Sequence, residues 1–249
     1  MKVNVILSPN NVDDLYFTGK TTVVIDVLRA TSVILKALDA GAKEVIPVGS
    51  IDFAMKISVN SHGGQTLLCG ERNTQMIEGF DLGNSPSEYT EESVSGKSII
   101  LFTTNGSKAI VKAKYSDKVF IASFNNLSKI AEHLVKLGND VEIISSGASG
   151  IFCLEDTICA GALVKLMMEK TSDIKVTDAT NASLILNEKY GSDIKLMMEN
   201  CEHGQILKAN GMDHDIEFCS TINNIPLIPY FSGGEIKLIK DEINESDSK

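Results

Sequence analysis

The sequence predicts an α/β protein in which helical layers cover a mainly parallel or mixed sheet, with a helix-rich C-terminal half and a terminal β-hairpin. Through the first 150 residues, short apolar runs rich in β-branched residues alternate with stretches of helical period. This alternation is typical of βαβ crossovers and of a sheet covered on both faces. After Gly150 helical patterns follow one another, until two strand-like runs flank a glycine turn near the end.

The individual elements follow from the hydrophobic pattern. Strands are predicted at 3–7, 22–26, 44–48, 66–69, 98–101, 118–121 and 141–145. Helices are predicted between them at 31–40, 51–59, 105–113 and 127–137, and after Gly150 at 155–170, 178–188, 193–201 and 202–209. Two late strands at 225–230 and 235–239 flank Ser232, Gly233 and Gly234, a composition that favours a hairpin turn. The charged stretch 241–249 is expected to fray.

The chain is expected to form a single unit over residues 1–249, with a weak lobe boundary near 145–155. Its 249 residues fit one large domain or two small ones, and 43% of them are hydrophobic, enough for a buried core. Neither a proline-rich linker nor an internal repeat divides the sequence. The pattern therefore favours one domain.

Charge and composition exclude several classes of partner. A net charge of -10 disfavours nucleic acid and anionic membranes, and the longest apolar runs fall short of the ~20 residues of a membrane span. The apolar run at 3–7 has no small-residue cleavage site, so it predicts a first strand instead of a signal peptide. The five cysteines lack Cys-x-x-Cys spacing, which favours reduced, buried thiols in a cytoplasmic protein. The apolar, methionine-containing helices would suit a homodimer interface.

The strand at 22–26 stops at an acid, and a cation and two hydroxyl groups follow it. Asp26 ends the apolar run, Arg29 comes three residues later, and Thr31 and Ser32 open the next helical pattern. Open α/β sheets bind ligands at the carboxyl ends of their strands, where free helix amides attract anions. This segment therefore predicts half of a phosphate site that awaits a metal ion.

A second candidate segment follows the strand at 66–69. Glu71 and Arg72 come directly after Gly70, and Asp81 and Asn84 lie in a glycine-containing stretch further on. The carboxylates could bind a metal ion and the guanidinium an anion, while the glycines would allow close approach of the backbone. A structured surface loop with local ion pairs is the equally weighted alternative.

Two further strand ends carry groups of the same kind. Thr104, Asn105 and Gly106 stand before a helix, where they could cradle a phosphate or sulfonate or could simply cap the helix. Glu155 and Asp156 open the helix at 155–170, where an acidic pair either complements the helix dipole or binds a hard cation such as Mg²⁺.

His203 is the histidine best placed for a site, although a capping or hydrogen-bonded role is the simpler interpretation. No Gly-x-Ser-x-Gly elbow accompanies it, which disfavours a serine hydrolase. No His-x3-His spacing is present either, which disfavours a zinc hydrolase.

Taken in order, these segments resemble the 2-phosphosulfolactate phosphatase family. The motifs that carry the resemblance are VIDVLRATS at 24–32, GER at 70–72, GFDLGNSP at 79–86, TTNG at 103–106, ED at 155–156 with CAG at 159–161, and HG at 203–204. The resemblance implies an α/β fold and Mg²⁺-dependent hydrolysis of 2-phospho-3-sulfolactate to 3-sulfolactate and phosphate, a reaction of coenzyme M biosynthesis. The sequence departs from the family pattern at 73–75, where glycines are expected, and at Asn223, where an aspartate is expected.

The resemblance and the residue chemistry together assign expected roles. Asp26, Arg29, Glu71 and Arg72 are the expected catalytic residues, with the two arginines as anion clamps. The expected metal ligands are drawn from Asp26, Glu71, Asp81, Glu155 and Asp156. The expected substrate-binding residues are Thr31, Ser32, Asn84, Thr104, Asn105, Gly106 and His203.

Three alternatives remain open at this point. Asp26 could act as a nucleophile, as an acid or base, or as a metal ligand. The substrate could be another small phosphorylated carboxylate. The protein could also bind an anion or nucleotide without catalysis, although the acids at the strand ends argue against this because they repel anions unless a cation intervenes.

Overall fold

The computed structural model describes residues 1–59 and 65–239, so the stretch 241–249 expected to fray lies outside the described residues. The strands are β1 (Lys2–Ile6), β2 (Thr21–Ile25), β3 (Glu44–Val48), β4 (Thr66–Arg72), β5 (Gln75–Met76), β6 (Ser98–Phe102), β7 (Lys118–Ala122), β8 (Val141–Ser145), β9 (Lys175–Val176), β10 (Pro229–Ser232) and β11 (Glu235–Leu238). The helices are α1 (Ala30–Asp39), α2 (Ile51–Val59), α3 (Glu91–Val94), α4 (Gly106–Lys112), α5 (Leu127–Leu137), α6 (Leu154–Lys170), α7 (Asp178–Tyr190), α8 (Ile194–Asn200), α9 (Glu202–Ala209) and α10 (Asp213–Cys219).

The eleven strands of the described residues join in one mixed sheet of order β5-β4-β6-β3-β11-β10-β7-β2-β8-β1-β9. The predicted α/β class, the mixed sheet and the hairpin are thus confirmed. The sheet contains two parallel blocks, β4-β6-β3 and β7-β2-β8-β1-β9, and the β10–β11 hairpin lies between them. The short strand β5 pairs antiparallel with β4 at one edge. The hairpin pairs antiparallel with β7 on one side and with β3 on the other.

Strand direction reverses across the hairpin, because three successive pairings there are antiparallel. The carboxyl ends of the two blocks consequently point to opposite ends of a flat sheet. The ends of β2 and β6 nevertheless meet, because a Cβ on Gly106, which follows β6, would lie 2.6 Å from Oδ2 of Asp26, which follows β2. Helices α1 and α4 each contact strands of both blocks. Side chains of these two helices share one buried apolar cluster with Val24 of β2, Val45 of β3 and Leu101 of β6.

The opposite faces of the two blocks have their own cores. The face of β1, β2, β7 and β8 turned away from α1 packs against α5, α6 and the short helices that follow. The β3-β4-β6 block packs its other face against α2 through a smaller cluster that includes Ala54, Ile100 and Phe102. Helices α1 and α4 therefore cover the face that the two blocks share, and the other helices named here cover the opposite face of each block.

The predicted elements agree closely with the observed ones until residue 209. The largest difference is the first late strand, predicted at 225–230 and observed only from Pro229. Pro226 has no backbone N–H for a sheet, and the preceding and following residues bind elsewhere. The N–H of Ile225 donates to Asn125 O, and Leu227 O accepts from the Asn126 side chain. The short strands β5 and β9 and the short helices α3 and α10 were not predicted.

All five cysteines lie in the described residues and are buried and free, as predicted. Among the residues that the structure describes, no helix combines the length and the apolar character needed to cross a membrane.

Candidate active site

A cavity of about 380 Å³ lies where the carboxyl ends of β2 and β6 meet the start of α6 and α9. It collects eight of the residues that the sequence indicated. They are Asp26, Arg29, Glu71, Asn84, Thr104, Asn105, Glu155 and His203. An apolar wall that includes Leu28, Phe152 and Ile206 completes the lining. Residues far apart in the chain thus form one pocket.

Asp26 lies on the buried side of this cavity, directly after β2. Its Oδ1 accepts a hydrogen bond of 3.1 Å from the Ala30 N–H at the start of α1. Burial raises the pKa of Asp26 to about 6; the charges of Glu71 and Glu155 act in the same direction, while His203 and the Ala30 amide oppose them. Among the described residues, no hydrogen-bond donor contacts the second carboxylate oxygen, Oδ2, which leaves it free to bind a cation.

Glu155 and His203 form a second charged group in the cavity. Glu155 Oε1 lies 3.6 Å from His203 Nδ1, and the Glu155 side chain is almost fully buried. Burial favours the neutral forms of both groups, but hydrogen bonding and charge attraction prevail: the pKa of Glu155 is lowered and that of His203 is raised. The pair therefore favours a carboxylate beside an imidazolium.

Glu71 organises the loops at the cavity wall. Its Oε2 accepts from the Thr74 N–H at 2.9 Å, and its Oε1 accepts from the Thr104 N–H at 2.7 Å. One carboxylate thus joins the turn after β4 to the turn after β6. Asn105 makes a similar link, because its Oδ1 accepts from the Ser149 N–H at 2.8 Å.

Arg29 is buried, yet it lines the cavity. Its Nη1 donates to Asp215 Oδ2 at 2.6 Å and to Met212 Sδ at 3.0 Å. Its Nη2 donates to the carbonyl oxygen of Thr74 at 2.9 Å. The guanidinium is therefore fixed from two sides before any ligand arrives.

Thr31 and Ser32 lie outside the cavity lining, although the sequence indicated them as substrate ligands. Both are fully buried. The Thr31 hydroxyl donates to Asp26 O at 2.8 Å, and the Ser32 hydroxyl donates to Val27 O at 2.9 Å. These hydroxyls hold the turn that presents Asp26.

Gly106 and Asp156 do not line the cavity either, but both contact residues that shape it. A Cβ on Gly106 would lie 2.6 Å from Asp26 Oδ2, so only glycine allows the start of α4 to come this close. Asp156 uses both oxygens to accept backbone N–H groups, from Val27 at 2.8 Å and Gly147 at 3.1 Å. Burial, reinforced by Asp26 and Glu155, raises the pKa of Asp156 well above its ordinary value.

Arg72 and Asp81 are exposed and do not line the main cavity. Arg72 borders a separate depression beside Lys108. Asp81 Oδ2 accepts from the Leu68 N–H at 2.8 Å and so extends the pairing of β4. Asp81 therefore behaves as the alternative interpretation predicts, as part of a structured surface loop.

The sequence did not indicate Asp215 or Cys153. Asp215 lies on α10, whose seven residues are too few to show a helical period. Cys153 lines the cavity beside Glu155, and its sulfur lies within 4.8 Å of carboxylate oxygens of both Glu155 and Asp156. Its burial and the two acids raise the pKa of the thiol well above its ordinary value.

The two departures from the family pattern lie in different places. Asn73 and Thr74 line the cavity, and both have positive φ angles, of 53° and 67°. Asn223 lies elsewhere: its Oδ1 accepts from the Ser128 N–H at 2.8 Å, near the start of α5.

The comparisons with known proteins show the family of the chain. The model of the 2-phosphosulpholactate phosphatase family matches residues 6–234. A protein of Clostridium acetobutylicum named probable 2-phosphosulfolactate phosphatase is 38% identical over 236 residues, covering 95% of this chain and all of its own length. Proteins with the same name from Clostridium perfringens and Caldanaerobacter subterraneus are each 39% identical; the alignments cover 98% and 93% of this chain, and 98% and 96% of the relatives. The chain therefore belongs to the 2-phosphosulfolactate phosphatase family, whose name describes a phosphoric monoester hydrolase.

Proposed function

We propose that this protein hydrolyses 2-phospho-3-sulfolactate to 3-sulfolactate and phosphate, with Mg²⁺ as its cofactor. The observation that carries the proposal is the cavity in which buried Arg29 lies with the carboxylates of Asp26 and Glu155. Such a combination suits an anionic ester that is bound together with a cation. Family membership supports the choice of substrate.

The carboxylates of the cavity fit a hard divalent cation. Asp26 Oδ2 accepts no hydrogen bond from the described residues, and Glu155 contacts His203 through only one oxygen. We assign these two side chains as the metal ligands, because Mg²⁺ prefers oxygen donors and one or two carboxylates suffice. When bound, the cation supplies positive charge that stabilises the phosphoryl oxygens in the transition state.

The remaining residues would bind the substrate and move one proton. Arg29 would bind an anionic group through paired N–H donors. Hydrolysis places the oxygen of a water molecule on phosphorus and leaves the ester oxygen in need of a proton. His203 would donate that proton, since its imidazole lines the cavity beside Glu155.

Asp26→Asn is expected to abolish Mg²⁺-dependent phosphate release while the protein stays folded. The substitution keeps the shape of the side chain but removes the charge that holds the cation. Phosphate release and thermal unfolding would be measured on the same preparation. Asp81→Asn is the matched control, because Asp81 is an exposed carboxylate outside the cavity, and it should retain wild-type turnover. Near-wild-type turnover by Asp26→Asn would refute the assignment.

The substrate is tested by comparing kcat/KM for phosphosulfolactate, phospholactate and phosphoglycolate, with Mg²⁺ and after chelation. A clear preference for the sulfonate and loss of turnover on chelation are expected. Equal rates on all three esters would point to a phosphatase of other small phosphorylated carboxylates. Thermal stabilisation by these ligands without any phosphate release would indicate a binding protein instead.

A further inference from the structure

Arg29 and Asp215 form an ion pair that is buried at the wall of the cavity. The Nη1–Oδ2 distance is 2.6 Å, and the exposed fractions are 3% for Arg29 and 0% for Asp215. Two charges removed from water at this depth are costly unless their geometry and remaining hydrogen bonds are satisfied. The second oxygen of Asp215 has partners of its own: Oδ1 accepts a hydrogen bond from the Ser85 hydroxyl at 2.5 Å and lies 3.2 Å from His214 Nε2.

The contacts of the guanidinium determine which of its donors are left for a ligand. Nη1 donates to Asp215 and to Met212 Sδ, and one hydrogen of Nη2 donates to Thr74 O. An arginine side chain has five N–H donors. Among the described residues, the Nε hydrogen and the second hydrogen of Nη2 have no acceptor. Two donors on one planar group suit an oxyanion such as a phosphoryl or sulfonate group.

We propose that Asp215 is a positioning residue: it orients the Arg29 guanidinium so that the two unused donors bind an anionic group of the substrate. Asp215 does not line the cavity and acts through Arg29. The same carboxylate also fixes Ser85, the neighbour of the cavity residue Asn84. The kinetic part of this proposal rests on the proposed function, whereas the binding part does not.

A double-mutant cycle tests the proposal. Asp215→Asn is expected to lower kcat/KM about 30-fold, less than the roughly 10²–10³-fold loss caused by removing a donor that contacts the transition state directly, and to weaken competitive inhibition by inorganic phosphate to a similar degree. Arg29→Lys keeps the charge but loses the planar fork, and it should cause a loss of similar size. The double variant should be little worse than either single variant, because both changes remove the same oriented group.

Controls separate positioning from folding. Glu217→Gln removes one charge from an exposed position of the same helix and should leave both readouts unchanged. Each variant is assayed below its thermal midpoint. If Asp215→Asn does not fold, Asp215→Glu keeps the ion pair but displaces the guanidinium, so it should still weaken phosphate binding about 10-fold. A role confined to folding would leave the phosphate affinity of the folded variants unchanged.

The proposal would be overturned if the fold-losses in kcat/KM of the two single variants multiplied in the double variant. It would also be overturned if folded Asp215→Asn bound phosphate with wild-type affinity. Calorimetry with inorganic phosphate distinguishes this proposal from the proposed function. If the wild-type protein binds phosphate and the cycle is non-additive, but phosphosulfolactate is not hydrolysed, the proposed substrate fails and the positioning role stands. A wild-type protein that binds no phosphate would overturn the positioning role itself.

Discussion

Thr74 combines a strained backbone with two contacts that the site needs. Its φ angle of 67° lies in the left-handed region, which is unfavourable for a β-branched residue. Its N–H binds Glu71 and its carbonyl oxygen binds Arg29. Both contacts use the backbone alone, so a glycine could make them without the strain. This explains physically why glycines are expected in this segment of the family.

Thr74→Gly is expected to raise the free energy of unfolding by about 0.5–1 kcal/mol. Relief of a left-handed conformation is worth roughly 1–2 kcal/mol, and the greater freedom of glycine in the unfolded chain offsets part of it. Chemical denaturation would measure the difference. Asn73→Gly is the matched control, since asparagine tolerates a φ of 53° and its replacement should gain less. A destabilised Thr74→Gly protein would contradict the explanation.

Individual site residues could be predicted from the sequence where the residues next to them in the chain form a recognisable strand end or helix start. Asp26 and Glu155 stand at the end of an apolar run and at the start of a helix, so their positions near a sheet edge were predictable. Asp215 was not, because its role comes from a partner 186 residues away. Arg72 and Asp81 have the same local pattern as Glu71, and only the fold separates them from the cavity.

At the scale of elements, a residue far along the chain accepts a hydrogen bond from the first turn of α5. The Ser128 N–H lies in the first turn of the helix and donates to Asn223 Oδ1, while the Asn223 N–H donates to Phe124 O. The segment after α10 thereby stabilises the start of α5. The asparagine in place of the expected aspartate affects a helix end, and Asn223 does not line the cavity.

Asn223→Asp is expected to raise the free energy of unfolding by about 0.3–1 kcal/mol and to leave kcat/KM unchanged. A carboxylate at the first turn interacts favourably with the helix dipole, and aspartate tolerates the φ of 57° at this position. Denaturation at low and high salt would measure the gain, which should shrink as salt rises. A changed kcat/KM would show that this segment influences the cavity.

At the scale of the whole molecule, the β10–β11 hairpin joins the two parallel blocks, whose strands run in opposite directions, into one sheet. Ile236 of β11 is fully buried, pairs with Val45 of β3 and belongs to the apolar cluster between the blocks. The hairpin was predictable, since Gly233 and Gly234 lie between two apolar runs. Its central position was not, because sheet order depends on pairings such as Tyr230 with Phe120, more than 100 residues apart in the chain.

Ile236→Ala is expected to lower the free energy of unfolding by about 2–5 kcal/mol, because a buried side chain is truncated where little can collapse around it. Urea denaturation should still show one transition with an unchanged slope, since both blocks share this core. Lys237→Ala on the same strand is the control, and its loss should be clearly smaller, because its partner Glu44 keeps Lys43 and the Ser98 hydroxyl. Two separate transitions in the Ile236→Ala protein would show that the blocks unfold independently.

The central hairpin also bears on how the chain is made. Among the described residues, β10 and β11 are the last strands in chain order, yet they occupy the middle of the sheet. During translation, β3 and β7 therefore emerge long before their inner neighbours and expose unpaired edges that can template association with other chains. The two blocks can be joined through the hairpin only after residues 229–238 have been synthesised, so the described sheet cannot close at its centre before then.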